Sequence, residues 1–83
     1  MIFLKIYDYK GKKNICGARI KQARKQLKLS QTDLAAKLQT NGIVIERDCI
    51  SRLELGTRFI PDYEIPIYAK ILHVSVEWLL GLE

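Results

Sequence analysis

From residue 15 onward, no helical stretch of this chain runs far before it meets a start or stop signal. Ile20, Ala23 and Leu27 recur at spacings of three and four, with Lys21, Lys25 and Lys28 between them, which predicts a first helix over about 16–28. Ser30, followed three residues on by Asp33, forms a capping box that opens a second helix over about 31–39, with Leu34, Ala35 and Leu38 inward and Thr40-Asn41-Gly42 at its end. A third helix over about 46–55 stops at Gly56, and residues 57–61 form a loop. Asp62 is expected to cap a fourth helix over about 62–72, with Pro66 near its first turn, where a missing N–H costs least. Ser75 caps a short fifth helix ending at Gly81, with Trp78 and Leu79 as its apolar load. Five short helices cannot each bury a stripe alone, so they must share one core in a compact all-α domain.

The 83 residues suffice for one such domain. No apolar run approaches the ~20 residues a membrane span needs, and the start carries no signal-peptide pattern. The expectation is a cytoplasmic protein. Cys16 and Cys49 stand far apart with one histidine, His73, so no metal site is expected and both cysteines read as reduced thiols filling apolar space. No nucleophile–base set, glycine-rich phosphate loop or paired carboxylate cluster is visible, so neither an enzyme nor a cofactor is expected.

Charge is uneven. Residues 1–30 hold nine Lys/Arg against Asp8 alone, whereas residues 31–83 hold five against eight acids. So basic a first third suits an anionic partner, nucleic acid before a membrane surface. Within it, residues 2–9, IFLKIYDY, are rich in β-branched and aromatic types and read as a strand needing a partner. Lys10 to Asn14 read as a basic turn or linker. Residues 1–14 are therefore taken as an N-terminal arm and 15–83 as the domain.

The third helix, within IERDCISRLELG, has few core residues. At about 100° per residue, Ile50 and Leu53 share one face with Glu54 and Glu46 beside it. Asp48, Ser51, Arg52 and Leu55 point the other way, flanked by Arg47. A helix entering the DNA major groove needs this layout: a thin core edge and hydrogen-bonding side chains near its N-terminus.

The segments SQTDLAAKL, ISRLELG and DYEIPIYAKILHVSVEWLLG, in this order, resemble the helix-turn-helix regulators of the XRE family, which includes phage repressors and Cro proteins. The resemblance spans about residues 16–81 and implies a lambda-repressor-like fold that binds double-stranded DNA as a homodimer, most often as a repressor. It implies base reading by Arg47, Asp48, Ser51 and Arg52. It implies phosphate contacts by Ser30, Gln31, Asn41, Thr57 and Arg58, and a buried ion pair between Arg24 and Glu54. Between Leu38 and Ile50 this chain carries QTNGIVIERDC, longer than the tight turn of the phage proteins, so Glu46 and Asp48 compete for the helix N-cap. XRE-like domains also serve as antitoxins, and here residues 1–14 are the segment available to a protein partner.

Overall fold

The computed structural model describes residues 9–83. Among them are five α-helices: α1 (Gly17–Gln26), α2 (Gln31–Thr40), α3 (Arg47–Leu55), α4 (Ile65–Leu72) and α5 (Val76–Leu79). The all-α, five-helix expectation holds. The strand expected over residues 2–9 falls, except for Tyr9, outside the described residues.

The capping box forms as read. Ser30 Oγ accepts the N–H of Asp33 at 2.9 Å, and the Asp33 carboxylate accepts the N–H of Ser30 at 2.9 Å. These bonds hold the Asp33 carboxyl below its ordinary range. A depressed folded-state pKa means that the contribution of this cap is present above the ordinary carboxylate range and lost as pH falls below it. Ser75 caps α5 with a single bond, its hydroxyl accepting the N–H of Trp78 at 3.0 Å.

All five helices stop by one device. The chain turns left-handed at the C-cap or one residue past it, and two backbone N–H groups reach back to carbonyls of the last turn. After α1, Lys28 donates to the Lys25 carbonyl at 3.0 Å and Leu29 to that of Arg24 at 3.1 Å. Equivalent pairs close α2 at Gly42, α3 at Gly56, α4 at His73 and α5 at Gly81. Lys28 (φ 58°) and His73 (φ 60°) adopt this conformation despite their side chains. The first helix accordingly ends at Gln26, short of the expected 28. The fourth also differs from expectation. Asp62 does not cap it: residues Asp62–Glu64 form a 3₁₀ turn after Pro61, and α4 begins at Ile65 with Pro66 in its first turn.

The core gathers one face of every helix: Ile20 and Ala23 from α1, Leu34 and Leu38 from α2, Ile50 and Leu53 from α3, Tyr68 and Leu72 from α4, Leu79 from α5. Helix α3 packs against both α1 and α2, while α4 closes the other side of those two and carries α5. Cys16 is buried and Cys49 half-buried, both as free thiols, and burial pushes the Cys16 thiol up.

The hydroxyl of Tyr68 is fully buried and has no hydrogen-bond partner among the described residues. Burial raises its ionisation well above the ordinary tyrosine range. A buried hydroxyl without a partner costs ~1–3 kcal/mol. Tyr68→Phe should therefore unfold at an equal or higher denaturant midpoint, by up to ~1 kcal/mol; a marked loss would reveal a bond to this hydroxyl.

Candidate nucleic-acid interface

Helix α3 is held by its inner face. Ile50 and Leu53 are buried, and so is Glu54, which meets Arg24 of α1 in a two-pronged pair, Nε–Oε2 at 2.6 Å and Nη2–Oε1 at 3.0 Å. The Arg24 guanidinium also donates to the Leu29 carbonyl at 2.8 Å, and the Gln31 amide of α2 donates to Glu54 Oε1 at 3.1 Å. One carboxylate thus ties α1 and α2 to α3.

Two residues unmarked in the sequence complete the clamp. The Asn14 side-chain amide donates to the carbonyls of Leu53 (3.0 Å) and Arg58 (2.7 Å), while its Oδ1 accepts the Gly17 N–H at 2.7 Å. Gly17 opens α1 so close to α3 that a Cβ there would lie 2.1 Å from the Leu53 carbonyl oxygen. The asparagine lay inside a segment read as a basic linker. Only its contacts with residues some forty positions on distinguish it.

The segment ahead of Asn14 is a turn. Lys10 and Gly11 both take positive φ, and Tyr9 and Lys12 exchange backbone hydrogen bonds across them. This is the primed two-residue hairpin turn. Lys13 then donates its N–H to the Gly56 carbonyl at 2.7 Å, joining the turn to the end of α3.

The long connection into α3 is pinned. Gly42 takes positive φ, Ile43 donates to the Leu38 carbonyl at 3.0 Å, and the Gln39 amide donates to the Ile45 carbonyl at 2.7 Å. Ile43 and Ile45 are buried, while Val44 between them is 95% exposed. Glu46 takes the N-cap position of α3, but no side-chain hydrogen bond caps the helix; Asp48 lies inside its first turn.

The outer face of α3 carries Arg47, Asp48 and Arg52, all exposed, with Ser51 half-buried. Arg47 pairs weakly with Asp48 at 3.4 Å. The Arg52 side chain makes no ion pair or hydrogen bond among the described residues. The other residues singled out in the sequence lie at the two ends of α2 and just after α3. Ser30 keeps its hydroxyl hydrogen while accepting from Asp33, and Gln31 keeps one amide hydrogen while donating to Glu54. Asn41 ends α2 and donates to the Lys37 carbonyl at 2.8 Å. The Thr57 hydroxyl donates to the Arg52 carbonyl at 3.1 Å, and Arg58 is half-buried beside it.

A family model described as a helix-turn-helix domain matches residues 17–83. The chain belongs to the helix-turn-helix domain family. The match covers all five helices. No curated protein and no solved structure matches the chain. The fold of this helix-turn-helix domain is lambda-repressor-like, and among its described residues no helix is long and apolar enough to cross a membrane.

Proposed function

We propose that this helix-turn-helix domain is a sequence-specific, double-stranded DNA-binding transcriptional regulator of the XRE type, acting as a homodimeric repressor in the cytoplasm. The observation that carries this reading is the division of α3. Its inner face is locked by Ile50, Leu53 and Glu54, and its outer face presents Arg47, Asp48 and Arg52 to solvent with Ser51 half-buried among them. Side chains at the start of such a helix reach base edges when it enters the major groove.

In this reading Arg52 makes a two-pronged contact with a guanine, while Asp48 accepts from a cytosine amine or steadies Arg47. Arg47 and Ser51 complete base reading. Ser30, Gln31 and Asn41 offer their remaining donors to phosphate, and Arg58 its guanidinium. Thr57 joins them only if its hydroxyl leaves the Arg52 carbonyl. Lys10, Lys12 and Lys13, exposed on the hairpin turn, extend the basic surface toward the backbone. The apolar groove of about 620 Å³ beside that turn, walled by Ile15, Phe59, Ile65 and Leu82, is offered as the contact with the second copy.

The test begins with duplexes selected by the purified protein from a random pool. Two half-sites centred one helical turn apart, about 34–36 Å, are expected. On the selected duplex, Arg52→Ala should lose about 5- to 150-fold in affinity, corresponding to ~1–3 kcal/mol, while salt-sensitive binding to random duplex persists. Unchanged affinity would remove Arg52 from the reading face. Failure to select any sequence would turn the search to a protein partner for residues 1–14, as an antitoxin-like module would have.

A further inference from the structure

We propose that Val44 is a specificity-determining residue that packs on the 5-methyl group of a thymine at the border of the site read by α3. The proposal rests on the DNA-binding reading above. Val44 lies two residues ahead of the α3 N-cap and three ahead of Arg47, beside the end of the helix that enters the groove. At 95% it is the most exposed of the large apolar side chains among the described residues.

Scattered apolar residues on a surface are ordinary. What separates Val44 is that its backbone is fixed from both sides. Ile43 and Ile45 are anchored in the core, Ile43 donates to Leu38, and Gln39 holds the Ile45 carbonyl. In an extended stretch neighbouring side chains alternate, so burying residues 43 and 45 turns residue 44 outward. The isopropyl group is thereby presented at little further entropic cost, which is what a contact surface requires. Its chemistry selects the partner. It has no donor or acceptor, so it cannot read a base by hydrogen bonding. The apolar feature of the major groove is the thymine methyl.

The test uses the selected duplex with each thymine replaced in turn by deoxyuridine, which removes only the methyl. For the unaltered protein, one replacement in each half-site near the α3 N-terminal side should weaken binding about three- to fivefold, the scale of one buried methyl. Val44→Ala should show that loss on the thymine duplex and no further loss on deoxyuridine. Val44→Thr, which keeps one methyl, should fall between them. A melting curve matching the unaltered protein would verify that these exposed substitutions leave the fold intact. The proposal is overturned if Val44→Ala still discriminates thymine from deoxyuridine, if no replacement weakens the unaltered protein, or if Leu55→Ala rather than Val44→Ala abolishes the discrimination. Loss of all sequence selection by the unaltered protein would overturn the DNA-binding reading itself, a separate outcome.

Discussion

Gly17→Ala is expected to cost about 3 kcal/mol or more and to leave much of the protein unfolded at physiological temperature. Helix propensity alone predicts the opposite, a gain of ~1 kcal/mol, because alanine is the better helix former. Packing decides the sign here. The added methyl would sit 2.1 Å from the backbone oxygen of Leu53, and no rotamer change can relieve a clash with backbone. Either α1 moves away from α3 or the Asn14 bridge to Leu53 and Arg58 opens. A domain this small holds only about 5–10 kcal/mol in total, so the loss is a large part of it. Urea titration followed by helical circular dichroism measures it. A midpoint equal to or above that of the unaltered protein would show that α1 and α3 sit farther apart than described.

Breaking the Arg24–Glu54 pair should cost about as much by a different mechanism. Glu54→Ala strands a buried guanidinium whose other partner is the Leu29 carbonyl, and Arg24→Ala leaves a buried carboxylate with the Gln31 amide alone. Removing one partner of a buried pair typically costs ~3–5 kcal/mol. Replacing both with apolar residues of similar volume, Arg24→Met with Glu54→Leu, should recover most of the loss, because neither charge is then left in the interior. The same urea titration across the two single variants and the double variant gives the coupling. Single variants within ~1 kcal/mol of the unaltered protein would mean that water reaches the pair and solvates whichever charge remains.

Local chemistry made much of this fold readable. Ser30 with Asp33, Ser75 and Gly56 act within a few residues of themselves, and each does what its type and spacing imply. The end of α1 was harder to place because a lysine, Lys28, takes the left-handed position that glycine usually marks, whereas α4 ends at Leu72 as expected although His73 takes that position too. The start of α4 was misplaced because Asp62 resembles a cap, while Pro61 ahead of it leads into a 3₁₀ turn instead. Asn14 and Gly17 could not be found at all from neighbouring residues. Their roles depend on carbonyls of Leu53 and Arg58 that folding alone brings near. At the candidate site, the polar outward face of α3 was legible from its periodicity. The exposure of Val44 was not, since GIVI reads as an apolar run until Ile43 and Ile45 are seen anchored on either side of it.

The two faces of α3 obey different constraints. Ile50, Leu53 and Glu54 are fixed by what surrounds them, whereas Arg47, Asp48 and Arg52 touch little of their own protein. Exchanges at exposed positions of this kind usually move stability by no more than ~0.5 kcal/mol. Such a helix can be rewritten on one side while the other stays constant. On the proposed DNA-binding reading the molecule is thereby a socket with an interchangeable key: new preferences could be installed at three positions, by drift or by design, without renegotiating how the chain folds.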